Sequence, residues 1–334
     1  MLQYGFYRVN YPEENWYRLI EQLKVNHTVI HPMNRAQIIN DAWNFAKSGY
    51  ITMDIALRTL EYLSNEESFT PIFAATDELA YVDKMLEKTS LYGKFSKFMK
   101  TTFSKSYSKL GINSKGMTHL ESYVQTIAVT QACKYGNSDC IGNVTQLFRS
   151  WMLSNNSKNP IDVNLRSAVY CTAIQHGGVE EWDFAYQQYK MTNVGSEKET
   201  ILAALACSND VWILSRFIEY TFKAEEIRKQ DAVPTLGYIS SNPIGRLLAW
   251  DFVRSNWDAV LREFDGILFP LLISVVTKSF NTEFELQMIN AFVSGLSDLG
   301  SAARTFDQAI EETSNNIKWM QKNYASIQSW LNSM

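Results

Sequence analysis

The amino-acid sequence predicts an all-α fold, and three observations support this prediction. Apolar residues recur with helical periodicity along almost the whole chain of 334 residues, and the segments between these stretches are short. With 46% hydrophobic residues the chain can bury a large core, which excludes a disordered protein. It contains only 15 glycines and 7 prolines, too few turn formers for a barrel or sandwich of many strands.

The segment Arg35–Lys47 shows the helical pattern clearly. Ile38 and Ala42 recur at helical spacing, Asn34 precedes the segment as the predicted N-cap, and Gly49 follows it as the predicted C-cap. The same pattern predicts further helices, in chain order, over Thr52–Leu63, Pro71–Leu86, Tyr92–Leu110, His119–Lys134, Ile141–Leu153, Val163–His176, Glu180–Met191, Ser196–Ala206, Val211–Phe222, Leu236–Ser240, Ile244–Phe264, Leu268–Phe280, Glu283–Leu299 and Ala303–Asn332.

Short connections make successive helices antiparallel neighbours, so the predicted architecture is an α-solenoid of the HEAT or armadillo type. The exception is Gln3–Tyr11, whose aromatic and β-branched residues alternate roughly as in a strand. A lone strand has no partner in an all-helical domain. We therefore expect the chain to be a piece of a longer polypeptide. Without the rest of it, Gln3–Tyr11 is expected to be frayed, to lie against the first helices around Trp16 or to pair with the same segment of a second molecule, and deleting residues 1–10 should leave the melting temperature nearly unchanged.

Charge and hydropathy exclude several classes of protein. Lys and Arg number 31 against 35 Asp and Glu, a formal net charge of −4, so no basic surplus indicates a nucleic-acid partner. The longest apolar run, Gly266–Val276, is interrupted by Pro270 and is shorter than the roughly 18 residues of a membrane helix. The first residues lack the basic and apolar regions of a signal peptide.

The four cysteines alone do not indicate whether the protein is cytosolic or belongs to the secretory pathway. Three pairings are possible, and pairing Cys133 with Cys140 and Cys171 with Cys207 needs the least contortion of the chain. The alternative is four buried free thiols in a cytosolic protein. Three Asn-x-Ser/Thr sequons in polar, turn-like contexts favour the secretory pathway over that alternative. These predicted glycosylation sites begin at Asn26, Asn143 and Asn155.

Catalytic and metal-binding motifs are absent from the sequence. His27 and His31 are four residues apart, but no Glu follows the first and Pro32 follows the second. Two further histidines, His119 and His176, are isolated, so we predict no metal site and no catalytic residue in this chain. Neither a Gly-rich phosphate loop nor a Gly-x-Ser-x-Gly nucleophile elbow is present.

For four other motifs, a structural interpretation is simpler than a functional one. Trp182–Phe184 and Trp250–Phe252 share the order aromatic, acidic, aromatic, which indicates packing between helices with the carboxylate bound to a donor. Asn34–Gln37 resembles a hydrogen-bond cluster at a helix start. Lys94–Lys109 interleaves lysines with aromatic residues and is predicted to be a solvated face, with nucleic-acid binding as a remote alternative.

Seven segments are distinctive when taken together: Tyr4–Tyr11, Asn34–Ala42, Arg166–Ile174, Glu181–Phe184, Ala203–Ser208, Ile227–Asp231 and Leu248–Trp257. As a set they resemble the C-terminal helical domain of zinc aminopeptidases of the aminopeptidase N family. The resemblance covers the chain from about residue 3 to its end. In sequon content and divergence the chain resembles an insect midgut member more than a vertebrate one.

The resemblance implies specific roles for residues of this sequence. It implies the disulfides Cys133–Cys140 and Cys171–Cys207, which agree with the pairing favoured above. It also implies that residues 1–14 are the remnant and linker of a preceding β-sandwich and that residues 15–334 form the helical domain. Residues in a segment that lines the peptide chamber of family members correspond to Ile267, Phe269 and Leu271.

The function implied is that of a non-catalytic domain. Family members carry zinc in a catalytic domain that precedes the helical domain in the chain. Their helical domain caps the active-site chamber and contacts the catalytic and β-domains of the same polypeptide. Some members form homodimers through it, and insect members bind insecticidal crystal toxins on the ectodomain. The implied location is the extracellular face of the plasma membrane. The alternative is a free-standing α-solenoid that binds other proteins.

Overall fold

The computed structural model describes residues 7–154, 159–264, 266, 268–296, 299 and 302–334. Within these residues all regular secondary structure is helical, with seventeen α-helices, three short 3-10 helices and no strand. The all-α prediction is therefore confirmed. The chain divides into two compact units, one of residues 1–140 with 321–334 and one of residues 141–320.

The first unit contains six complete helices. They are α1 Glu13–Asn26, α2 Pro32–Ser48, α3 Met53–Arg58, α4 Phe69–Leu86, α5 Tyr92–Leu110 and α6 His119–Lys134. In this unit α2 packs against α4, and α4 and α5 both pack against α6. Alternate helices are thus neighbours in one layer, which is the arrangement of an α-solenoid.

The second unit continues the same arrangement. Its helices are α7 Ser138–Leu153, α8 Arg166–His176, α9 Val179–Met191, α10 Gly195–Leu205, α11 Val211–Tyr220, α12 Lys229–Ser241, α13 Gly245–Ser255, α14 Trp257–Glu263, α15 Leu268–Thr277 and α16 Glu283–Ser294. A last helix, α17 Ala303–Ser333, contributes residues to both units. In the second unit α8 packs against α10, α10 against α12, and α12 against α15. The predicted α-solenoid is confirmed.

Two helix starts differ from the prediction. Helix α1 was not among the predicted helix ranges, although Trp16, Ile20 and Leu23 recur at helical spacing and are all buried. Helix α2 begins at Pro32 rather than after Asn34, and His31 is its N-cap, with Nδ1 accepting the Met33 N–H. Proline is favoured in the first helical turn because its missing N–H has no helical partner there.

Two later helices also differ. Helix α12 begins at Lys229, seven residues before the predicted start, and contains Pro234. This proline leaves the carbonyl of Gln230 without its helical donor, but Gln230 is exposed, so water can take that place. The single helix predicted over Ile244–Phe264 is divided at Asn256, where the backbone leaves the helical region.

The predicted N-terminal strand is absent from the part of its segment that the structure describes. Residues 7–12 have no regular structure, and residues 1–6 lie outside the described range. A strand needs a hydrogen-bonded partner, and the described residues contain no other strand. Its described residues lie against α1, which is one of the expected alternatives, and the rings of Tyr11 and Trp16 meet edge to face with their centroids 5.1 Å apart.

Polar contacts fasten this segment to α1 and α2. The buried carboxylate of Asp41 accepts from Arg8 Nη1 at 3.1 Å and from the Val9 N–H at 3.1 Å. The indole N–H of Trp16, a fully buried residue, donates to Asn10 Oδ1 at 2.9 Å. The segment therefore satisfies two buried polar groups, which would cost free energy if left without partners.

Deleting residues 1–10 is expected to lower the free energy of unfolding by about 2 kcal/mol or more, because Asp41 and Trp16 lose these partners. The sequence alone predicted a nearly unchanged melting temperature. The matched control deletes only residues 1–7 and keeps Arg8, Val9 and Asn10. Urea unfolding followed by circular dichroism compares the two truncations, and equal stabilities would contradict the expectation.

Candidate functional site

The segment predicted to line a peptide chamber lies at the start of α15. Phe269 is buried and packs on Trp257 with ring centroids 5.1 Å apart, so its side chain belongs to the helical core. Leu271 is 44% exposed and is directed outward. Ile267 lies outside the described residues. Of the described pair, only Leu271 can contact a peptide directly, while Phe269 holds the helix in place.

A second candidate is a polar cleft of about 230 Å³ in the second unit. Its lining combines an ion pair, amide and hydroxyl groups, an indole and two aliphatic side chains: Trp151, Asn159, Arg166, Gln188, Thr192, Val194, Glu197 and Ile201. Arg166 and Glu197 are joined at 2.7 Å, and the Tyr170 hydroxyl donates to Glu197 at 2.6 Å.

The charges in this cleft neutralise each other. Burial, reinforced by the hydrogen bond to Glu197, raises the pKa of Tyr170 far above its usual range, so the phenol stays protonated and serves as a donor. The Glu197 carboxylate already accepts from both Arg166 and Tyr170. The arrangement holds α8 to α10 and does not provide a free base or nucleophile.

The histidines do not form a zinc site. His31 Nδ1 already accepts the Met33 N–H at the N-cap of α2. The His27 ring packs against the Tyr62 ring in a tilted arrangement, with their centroids 5.3 Å apart. Across the described ranges, no group of three or more His, Cys, Asp or Glu side chains could hold a metal ion. The residues present therefore do not fit the zinc that the resemblance implies for the parent enzyme.

Both implied disulfides are present in the structure. Cys133 of α6 is bonded to Cys140 of α7, seven residues later, in the first unit. In the second unit Cys171 of α8 is bonded to Cys207, 36 residues later and just after α10. Each bridge joins helices that are close in the solenoid, and such bonds persist in an oxidising environment.

The predicted glycosylation sites fall in different environments. Asn26 is exposed at the end of α1, and its Oδ1 accepts from both the backbone N–H and the hydroxyl of Thr28. Asn143 is half-buried within α7. Asn155 lies outside the described residues. On exposure alone, Asn26 is the better acceptor of the two described sites, and glycosylation of all three stays a prediction.

The aromatic–acidic–aromatic motifs pack between helices, as the sequence indicated. Trp182 donates its indole N–H to the Leu205 carbonyl at 3.1 Å, and Asp183 pairs with Arg216 at 2.7 Å. In the second motif Asp251 pairs with Arg254 at 2.9 Å. The carboxylates therefore bind arginines on the surface.

The sequence did not reveal a buried ionic network at the start of α2. Arg35 forms two parallel hydrogen bonds with Glu66, at 2.6 and 2.9 Å, and also donates to the Ser68 hydroxyl and to the His27 and Ile30 carbonyls. Both charged side chains are almost fully buried. The available signal was that Arg35 shares one helix face with Ile38 and Ala42.

No helix in the described part of the chain is both long enough and apolar enough to cross a bilayer.

Comparison with known proteins places the helical solenoid in a family. The model of the ERAP1-like C-terminal domain matches residues 2–315. Aminopeptidase Ey of Gallus gallus and aminopeptidase N of Homo sapiens are each 39% identical over 98% of this chain. Thyrotropin-releasing hormone-degrading ectoenzyme of Rattus norvegicus is 35% identical over the same share.

The chain spans about a third of the length of these relatives, 34% of each of the first two and 31% of the third. The match therefore covers one domain of each relative. The family model covers most of the chain, including helices of both compact units. This chain belongs to the ERAP1-like C-terminal domain family.

Proposed function

We propose that this chain is the non-catalytic C-terminal domain of a longer zinc aminopeptidase that removes N-terminal amino acids from peptides. The proposal rests on the family match together with relatives that are named aminopeptidases. The chain spans about a third of the length of those relatives. The sequence supports the non-catalytic role, because it contains no His-Glu-x-x-His motif and only four histidines. Zinc belongs to the parent enzyme.

Within that polypeptide the domain caps the active-site chamber and contacts the catalytic and β-domains. The outward face of α15 suits this role, because Leu271 is exposed while Phe269 and Leu272 anchor the helix in the core. An apolar side chain on a rigid helix can limit which peptides enter without reacting with them. Ile267 is the second proposed contact of this wall. Residues 1–14 are the proposed link to the preceding β-domain.

The proposed location is extracellular, with the parent secreted or anchored to the plasma membrane outside this segment. Two disulfides support this, since such bonds are rare in the cytosol. Exposed Asn26 supports N-glycosylation. Homodimer formation and the docking of insecticidal crystal toxins are further roles that the family resemblance suggests for this surface.

The proposed function predicts that the isolated chain neither retains stoichiometric zinc nor hydrolyses aminoacyl amides. A catalytic zinc needs three well-placed protein ligands, which this sequence lacks. An antibody raised against the chain is expected to isolate, from the source tissue, a polypeptide roughly three times as long that carries zinc and aminopeptidase activity. Zinc content by mass spectrometry and turnover of leucine p-nitroanilide are measured on both preparations.

Removing zinc with a chelator should abolish the activity of the long polypeptide, and restoring zinc should recover it. The isolated chain should be inactive throughout. One equivalent of zinc with turnover in the isolated chain would disprove the non-catalytic role. Isolation of a polypeptide no longer than this chain would instead favour a free-standing α-solenoid that binds proteins.

A further inference from the structure

Helix α5 carries an unusual concentration of positive charge. It contains no acidic residue, and its lysines are all exposed. We call this set the lysine face: Lys94, Lys97, Lys100, Lys105 and Lys109. In a chain with a formal net charge of −4, this is a strongly basic surface.

The protein leaves most of this charge uncompensated. Lys94 and Lys105 donate to neutral amide oxygens, those of Asn332 and Asn65. Lys109 lies 2.5 Å from Glu67, but both side chains are more than half exposed, so water screens the pair. The two remaining lysines have no acidic partner within 4.0 Å among the described residues. Lys94, Lys97, Lys100 and Lys105 therefore have no carboxylate partner among these residues, and the charge of Lys109 is only partly offset.

The lysine face is elongated. At 100° per residue, Lys94, Lys97, Lys105 and Lys109 fall within an arc of about 120° on α5, and they span roughly 22 Å along the axis. Thr101 lies between them on the same arc and is exposed. A straight row of cations with a hydroxyl between them fits a linear polyanion better than a single small anion.

A cavity of about 420 Å³ adjoins the first half of this row. Lys94 and Lys97 line it together with the hydroxyls of Ser64 and Thr101. One carboxylate, Glu61, also lines it, but that group is 11% exposed and is paired with Lys24 at 3.0 Å and with Arg58 at 3.6 Å. The cavity therefore offers donors to an anionic sugar ring without adding an unpaired negative charge.

The surface chemistry favours a sulfated polysaccharide over other polyanions. The exposed residues of α5 are only lysine, serine, threonine and glycine, and its aromatic rings are at most half-exposed, so the helix offers little ring surface on which bases could stack. The nearby Phe98 is engaged with Trp330, at 4.7 Å between ring centroids. Membrane-surface helices bury apolar side chains, which the exposed face of α5 lacks. The two disulfides indicate an oxidising compartment, where nucleic acid is scarce.

We propose that the lysine face of α5 binds a linear sulfated polysaccharide of the glycosaminoglycan class. The sulfate groups pair with the row of ammonium groups, and the exposed hydroxyls hydrogen-bond the sugar. Basic clusters of this kind are a recurrent recognition surface for heparin-like chains.

The test measures binding of the whole chain to immobilised heparin by surface plasmon resonance at several salt concentrations. The variant K94Q/K97Q/K105Q removes three charges that have no carboxylate partner. Its matched control, K115Q/K223Q/K229Q, removes three exposed lysines outside α5 and changes the net charge equally. Losing three lysine contacts to a polyanion is expected to weaken binding at least about tenfold, while the control keeps its affinity. Heparin stripped of its sulfate groups should bind neither protein.

Three results would overturn the proposal. Equal weakening in the control triple would mean that overall charge, rather than the lysine face, attracts heparin. Unchanged binding in the α5 variant would exclude this surface. Tighter, lysine-dependent binding of single-stranded DNA or of phosphatidylserine vesicles than of heparin would show that the ligand class is wrong. Circular dichroism and melting temperature confirm that each variant is folded.

Discussion

Replacing Glu66 with glutamine is expected to destabilise the protein by about 3–5 kcal/mol, because the change leaves the buried guanidinium of Arg35 without its counter-charge. The Glu66 carboxylate accepts two hydrogen bonds from Arg35, one from Tyr62 and two from the backbone N–H groups of Glu67 and Ser68. An amide cannot accept all of these. Urea unfolding followed by circular dichroism measures the loss.

A matched control is the exposed pair of Glu14 and Arg18 on α1. The side chain of Glu14 is 76% exposed and that of Arg18 is 71% exposed, so Glu14→Gln should cost less than about 1 kcal/mol. A second comparison replaces both buried partners with methionine. That variant is expected to be more stable than Glu66→Gln, because it buries no unpaired charge. Equal losses for Glu66→Gln and Glu14→Gln would contradict the argument.

The network of Arg35 and Glu66 also makes the stability of the protein depend on pH. Burial alone would raise the pKa of Glu66, but the hydrogen bonds from Arg35 and the Ser68 N–H outweigh burial and hold this pKa below its ordinary value of 4.5. The stabilisation from Glu66 is therefore fully present above about pH 4.5 and is lost as the pH falls through the lower pKa of the folded state. Between pH 5 and pH 3 the wild type should lose more stability than Glu66→Gln.

Removing the disulfide between Cys171 and Cys207 is expected to cost roughly 3–4 kcal/mol, because the bond closes a loop of 36 residues in the unfolded chain. The bond between Cys133 and Cys140 closes only seven residues, for which the same loop-entropy model gives roughly 2 kcal/mol. The double variants C171A/C207A and C133A/C140A provide the comparison. Urea unfolding gives both the free energy and its dependence on denaturant.

Loop closure acts on the unfolded state, so the long-loop variant should also show the larger increase in the slope of unfolding free energy against urea. Peptide mapping without reductant checks that each variant retains the other bond. A larger loss from the short bridge would mean that packing around the fully buried Cys140 dominates over loop closure.

The family of this domain was evident from the sequence, whereas its ligands were not. Short motifs such as Arg166–Ile174 and Leu248–Trp257 carried the resemblance, and the family match over residues 2–315 confirmed it. The lysines of α5 were also visible as a solvated face. Their proposed role as a binding surface depends on Lys94, Lys97, Lys100 and Lys105 having no carboxylate partner in the described part of the chain, which only the packed structure shows.

Helix positions followed from local chemistry, so the sequence determined most of them. Periodic apolar residues predicted α4, α5 and α6 closely, because burial of one helix face repeats every three to four residues. Helix α1 was left without a predicted range, although its buried residues Trp16, Ile20 and Leu23 recur at helical spacing. The N-terminal segment was likewise predicted as a strand, although Arg8 and Val9 bind Asp41 about 32 residues away.

The tertiary structure alone decided which residues meet across the chain. Arg35 and Glu66 are 31 residues apart, and nothing local in either segment requires their pairing. The same holds for α15, where helical geometry places Phe269 in the core and exposes Leu271, although the sequence made them equal candidates for a chamber wall. Helix propensity and periodicity are properties of short segments. Burial of a charge or of one face of a helix depends on packing between segments that the chain brings together only when it folds.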